Sequence, residues 1–230
     1  MKKKKIIKRI IITLLILVIA ILGAFLIYAN VYMHSSYTLE ENAVLLDNGD
    51  YYLEGSSDVG IIFYPGAKVE ETAYLPMLSK LQEKGYTCIL VKMPLRFAFL
   101  GTNSADDYYD EYPEIKSWYM SGHSLGGAMA SSYASDNEDL IDGLLLLGAY
   151  VYGDFNPENS ITIYGENDLG LDRSKIGDVN VYEIEGGNHA GFGYYGVQNG
   201  DGELIITREE QQDEAANLID SFIQERTGDI

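Results

Sequence analysis

Cysteine is almost missing from this chain: Cys88 is the only one, so no intrachain disulfide can form and none supports the fold. It lies in the apolar run Tyr86-Thr87-Cys88-Ile89-Leu90-Val91, which predicts a buried, inert thiol rather than a nucleophile. Histidine is nearly as scarce, with only His34, His123 and His189. Basic charge is scarce everywhere except the start. Six of the 16 Lys and Arg residues and none of the 35 Asp and Glu residues precede His34, which leaves ten bases against 35 acids afterwards, a formal charge of −25. Such a surface repels phosphate backbones and anionic lipid head groups, so a nucleic-acid role and a basic membrane-docking face are excluded.

The early basic residues have a purpose of their own. Lys2, Lys3, Lys4, Lys5, Lys8 and Arg9 precede an uncharged apolar run from Ile10 to Ala29, which as a helix rising about 1.5 Å per residue spans about 30 Å. A cleaved secretory signal is the competing reading. The run is longer than a signal's apolar segment, and the best small-residue site, ending at Ala29, carries bulky Ile27 where a small side chain is required. The expectation is an uncleaved single-pass membrane anchor with its basic end cytoplasmic and the rest of the chain extracytoplasmic. The organisation expected is residues 1–33 as basic tail and transmembrane anchor, 34–42 as a tether, and 43–230 as one folded domain.

Within that domain, strand-like and helix-like segments alternate as in a mostly parallel α/β sheet flanked by helices. Strands are expected at Ala43 to Leu46, Tyr51 to Glu54, Gly60 to Tyr64, Tyr86 to Lys92, Ser117 to Ser121, Gly143 to Leu147, Ser160 to Tyr164 and Asn180 to Ile184. The first two should pair antiparallel across Asp47-Asn48-Gly49, and the later ones in parallel. Tyr74, Met77, Leu78 and Leu81 share one helical face, with Gly85 placed to end that helix. Ala215, Leu218, Ile219, Phe222 and Ile223 form a second stripe, entered through the capping-box spacing of Thr207 and Glu210 and left at Gly228.

Gly122-His123-Ser124-Leu125-Gly126-Gly127 stands after an apolar strand and before a run of small residues, which is what a nucleophile elbow needs. Holding a serine on a sharp strand-to-helix turn leaves no room for side chains two positions away on either side, and Gly122 and Gly126 supply that room. A serine hydroxyl then needs a base, and the base a carboxylate to fix its tautomer. His34 lies in the tether and His123 is adjacent to the serine, on a turn expected to point the two side chains apart. His189, in the glycine-rich stretch Glu185-Gly186-Gly187-Asn188-His189-Ala190-Gly191, is therefore the candidate base. Asp168, just past the strand ending at Tyr164, is the candidate acid, with Glu166 and Asp172 as alternatives. The tetrahedral oxyanion needs two N–H donors: Leu125 supplies one, and the loop Tyr64-Pro65-Gly66-Ala67 the other, through Ala67 or, in reserve, Gly66.

With these residues in place the chain resembles the α/β-hydrolase superfamily, and within it a small lid-less group, the α/β-hydrolase fold-5 domain, from about Gly60 to Phe222. The resemblance rests on Phe63-Tyr64-Pro65-Gly66, Val91-Lys92-Met93-Pro94-Leu95, the elbow, Gly165 with Asp168, the His189 stretch, and the tail Phe192 to Gly202 followed by Arg208-Glu209-Glu210-Gln211-Gln212. It implies Ser124 as nucleophile, Asp168 as orienting acid and His189 as base. Ala67 stands where the group's loop has a second glycine. The layout is also similar to dienelactone hydrolases, whose nucleophile is a cysteine. Only about ten residues separate Ala149 from Ile161, so no lid domain fits and an open cleft is expected, edged by Met93 to Leu100 and by Tyr194 and Tyr195. Asn199-Gly200-Asp201-Gly202-Glu203 lacks the register of a calcium loop and reads as a solvated turn.

The activity expected is hydrolysis of a small or medium carboxylic ester through an acyl-enzyme, with no metal and no cofactor. Acyl transfer to an envelope acceptor would use the same residues. A non-catalytic surface-binding module on the same scaffold is the third possibility.

Overall fold

The computed structural model describes residues 2–38 and 42–228; positions 39–41 of the expected tether lie outside the described residues. It divides into two compact units, Met1–Tyr32 and Met33–Ile230. The first contains a single helix, α1 (Lys2–Ala29). Its continuous aliphatic sequence makes it long and apolar enough to cross a membrane.

The second unit is built on β1 (Val44–Leu45), β2 (Tyr51–Leu53), β3 (Val59–Tyr64), β4 (Thr87–Leu90), β5 (Ser117–His123), β6 (Gly143–Leu147), β7 (Ser160–Gly165) and β8 (Val181–Ile184). They form one sheet in the order β1-β2-β4-β3-β5-β6-β7-β8. The β1–β2 hairpin and its pairing with β4 are antiparallel, and every other pairing is parallel. Gly49 allows the hairpin to turn, because its φ of 92° is open to glycine and strained for other residues.

Three α-helices cover the sheet among the described residues: α2 (Leu75–Glu83), α3 (Leu125–Asp136) and α4 (Arg208–Thr227). Side chains alternate across a strand, so each buried strand feeds two cores. Ile61, Phe63, Leu145 and Leu147 join α2 and α4 on one face, whereas Ile62, Tyr64, Leu144 and Leu146 join Ala130, Tyr133 and Ala134 of α3 on the other. Burying one such side chain fully is worth about 1.5–3 kcal/mol. The four leucines of β6 are all fully buried, which accounts for an uninterrupted apolar run where a one-sided strand would alternate.

The expected helix signals appear as drawn from the sequence. Thr207 and Glu210 make a reciprocal capping box, and Gly228 ends α4 in the left-handed conformation. The strand expected at Tyr86 to Lys92 is shorter, Thr87–Leu90, because pairing stops where the chain turns into the loop carrying Pro94. The connections β4 to β5, β6 to β7 and β7 to β8 contain only short 3₁₀ turns among the described residues. Met33, the last residue of the expected anchor segment, and Ser36, in the expected tether, both bond within the second unit: Met33 N–H donates to the Lys68 carbonyl and Ser36 N–H to that of Tyr194, each at 2.8 Å.

Candidate active site

β5 ends at His123, and α3 begins at Leu125, with Ser124 between them at φ 54° and ψ −124°. A non-glycine residue there stores backbone strain of order 1–3 kcal/mol, tolerated only when its surroundings fix it. The fixing groups are identifiable. Ser124 N–H donates to the Leu147 carbonyl at 3.0 Å, and the Ser124 carbonyl accepts from Ala128 N–H at 3.1 Å. A Cβ on Gly126 would overlap the carbonyl oxygens of Tyr64 and Pro65, and one on Gly122 would strike the Gly126 backbone. The two glycines thus let the elbow lie directly against the loop that follows β3.

Asp168 and His189 come from the loops after β7 and β8, and the sheet brings these loops together because β7 and β8 are parallel neighbours. The His189 Nδ1 and Asp168 Oδ2 atoms are 2.7 Å apart, with the carboxylate side chain fully buried. Asp168 Oδ1 accepts from Gly170 N–H and Leu171 N–H, each at 3.0 Å. A carboxylate only accepts, so Nδ1 carries the proton and the Nε2 lone pair is left for other use. Gly148, at φ 52°, makes room for the pair: a Cβ there would stand 2.9 Å from His189 Nδ1.

Ser124 and His189 line one cleft of about 280 Å³, together with Leu125, Ala128, Gly148, Ala149, Tyr150, Gly170, Leu171 and Asp172. The Ser124 hydroxyl and the imidazole are walls of the same cleft without a direct hydrogen bond between them. The alternative acids bond to other groups than the imidazole. Glu166 accepts from Gly186 N–H at 2.9 Å, and Asp172 caps the turn at Ser174.

The reserve donor Gly66 is already engaged, because its N–H donates to the Tyr74 hydroxyl at 3.2 Å. No hydrogen bond among the described residues occupies the N–H of Ala67 or of Leu125. Leu125 heads α3, where first-turn amides have no partner inside the helix and carry the positive end of its dipole.

His123, set aside as a base because it adjoins the serine, packs against His189: their ring centroids are 4.4 Å apart, and His123 Nε2 lies 3.1 Å from the His189 carbonyl. Burial, and then the neighbouring His189, hold the His123 imidazole well below its usual pKa, so it is neutral. Strand parity carried the signal, since His123 shares a face with Tyr119 and so points into the α2–α4 core. Asp201, read as part of a solvated turn, accepts from His189 N–H at 3.2 Å and Ala190 N–H at 2.8 Å. Gln211, fully buried at the start of α4, grips Asn188 through both its N–H and its carbonyl, at 3.0 and 2.8 Å. Tyr195 is buried against Tyr74 and His123 instead of edging the cleft. Cys88 is buried in β4, and burial pushes its thiol pKa up, as befits an inert side chain. Among the described residues no three His, Cys, Asp or Glu side chains converge as a metal site.

A model described as the alpha/beta hydrolase family matches residues 60–213. Among solved structures, the chain is similar to Est1E from Butyrivibrio proteoclasticus with bound ferulic acid, at 14% identity and a TM-score of 0.56, over 78% of this chain and 95% of that one. It is similar to an alpha/beta hydrolase enzyme from a sediment metagenome of the lagoon of Mar Chica, Morocco, at 14% identity and a TM-score of 0.58, covering 81% and 100%. A carboxylesterase from Mesorhizobium loti aligns at 13% identity and a TM-score of 0.52, covering 80% and 99%. Such identities speak to the fold. No curated protein matches by sequence.

Proposed function

Since the chain belongs to the alpha/beta hydrolase family, we propose that it is a membrane-anchored serine esterase whose nucleophile, acid and base are Ser124, Asp168 and His189. The observation that supports this reading most is the 2.7 Å Asp168–His189 pair beside a cleft that Ser124 also lines. In the proposed reaction His189 Nε2 takes the Ser124 proton as Oγ attacks the ester carbonyl carbon. Negative charge moves to the carbonyl oxygen, where the Ala67 and Leu125 N–H groups receive it. Collapse breaks the bond to the alcohol, which leaves with the proton from His189, and water repeats the sequence to free the acid.

The cleft points to a small acyl group. Its volume lies at the lower edge of the roughly 300–1,000 Å³ typical of ligand pockets, and Ala128, Gly148, Ala149 and Gly170 line it. Asp172 at its wall, within an acidic domain, disfavours anionic esters. Purified protein from residue 33 onward is expected to cleave activated acetyl and butyryl esters with kcat/KM about tenfold or more above decanoyl esters. It is also expected to prefer neutral esters to hemisuccinates. Absence of turnover on every activated ester would sink the esterase reading.

The lysine-rich end of α1 supports a cytoplasmic N-terminus with the hydrolase unit outside. Protease added to intact cells is expected to remove that unit and leave a protected N-terminal stub; complete protection reverses the orientation.

A further inference from the structure

We propose that Tyr74 and His123 are positioning residues that tie the oxyanion loop and the catalytic base into one buried unit, a role that rests on the esterase reading above. Tyr74 stands at the start of α2, His123 at the end of β5, Gly66 after β3 and His189 after β8. Four separate segments therefore meet at this point. Gly66 N–H lies 3.2 Å from the Tyr74 hydroxyl, that hydroxyl 2.8 Å from His123 Nδ1, and His123 Nε2 3.1 Å from the His189 carbonyl.

The directions of these bonds follow from what each atom can do. The His189 carbonyl only accepts, so His123 Nε2 carries the proton and donates it. His123 is neutral, so its Nδ1 has a lone pair, and the Tyr74 O–H must donate to it. The Tyr74 oxygen then accepts from Gly66 N–H. Only this arrangement satisfies every member.

Water cannot take over any link, because Tyr74 and His123 are at most 1% exposed and His189 is 5% exposed. Phe192 and Tyr195 close the His123 ring in from the sides, with centroids 5.7 and 6.4 Å away. Space is equally tight at the other end, where a Cβ on Gly66 would stand 2.7 Å from the Tyr74 hydroxyl and 2.9 Å from His123 Nδ1. The chain of bonds ends on the amide directly before the Ala67 donor and on the main chain of the base itself. A shift at either end therefore passes to the other through side chains with no freedom to relax.

The test compares Tyr74→Phe, His123→Phe, the double variant and His123→Gln with the wild type. Each keeps the bulk of the side chain. Steady-state kinetics on an activated acetyl ester are paired with the affinity for a boronic acid, which forms a tetrahedral adduct on a serine. Tyr74→Phe is expected to lower kcat about 10- to 100-fold, with KM within about twofold. Boronate affinity should fall in parallel. The double variant should lose no more than the worse single one, since either change breaks the same unit. His123→Gln, whose amide oxygen can accept from Tyr74 and whose amide N–H can donate to His189, should recover most of the loss. Thermal melting checks the fold; if Tyr74→Phe does not fold, the His123→Phe and His123→Gln pair carries the same comparison. Unchanged kcat in a folded Tyr74→Phe or His123→Phe, additive losses in the double variant, or no recovery in His123→Gln would overturn the proposal. An inactive wild type would instead overturn the esterase reading.

Discussion

Replacing Ser124 by alanine is expected to lower kcat by about 10⁴- to 10⁶-fold and to abolish labelling by a fluorophosphonate. The size of the effect follows from the chemistry, because without Oγ there is no atom to form the acyl-enzyme. What survives is binding and whatever stabilisation the Ala67 and Leu125 amides give to direct attack by water. The fold should be nearly unaffected. Ser124 makes its structural hydrogen bonds through its backbone, with Leu147 and Ala128, and alanine retains both. The melting temperature is therefore expected to stay close to that of the wild type, and labelling of the variant at the wild-type rate would remove Ser124 from its assigned role.

The second large effect is expected from Asp168→Asn, a change of one atom in a fully buried side chain. Its consequence depends on which bonds the amide keeps. Gly170 and Leu171 both donate N–H to Oδ1, so the asparagine oxygen is held there and its NH₂ group faces His189 Nδ1. Nδ1 must then accept, and the imidazole proton moves to Nε2. The nitrogen that should receive the serine proton has lost its lone pair. A tautomer reversal of this kind costs about 10⁴-fold in kcat in the serine proteases, and a similar loss is expected here. Fluorophosphonate labelling should be slowed rather than abolished, because the serine is still present. A variant within about tenfold of the wild type would mean that Asp168 does not orient the base, and Glu166 or Asp172 would have to be reconsidered.

The two variants also mark where the sequence was readable. Ser124 could be located from its neighbours alone, since a strained turn demands small residues at fixed offsets and Gly122 and Gly126 sit at those offsets. The strands were legible for a related reason. Continuous runs such as Leu144 to Leu147 answer to burial on two faces, a property each residue carries by itself. The start and end of α4 were equally local, being set by Thr207, Glu210 and Gly228. His189 emerged because the chain has so few histidines.

Other features had no local signature. Asp168 was the first choice for its place just past a strand, but Glu166 and Asp172 lie within a few residues of it on the same loop; only the fold directs one carboxylate to the imidazole and the others to backbone amides. Whether Gly66 or Ala67 keeps a vacant N–H depends on the hydroxyl of Tyr74, which arrives from the turn just before α2. Asp201 looked like a solvated turn, because the His189 and Ala190 amides that it accepts from lie more than ten residues earlier in the chain.

The sequence by itself determined the elbow, the strands and the capped helix, because backbone strain, burial and capping are decided by residues a few positions apart. The tertiary structure alone brought one carboxylate to the His189 imidazole, engaged the Gly66 amide and joined His123 to Tyr74 and His189. Those outcomes depend on the register of neighbouring strands, which brings together groups that the chain keeps far apart.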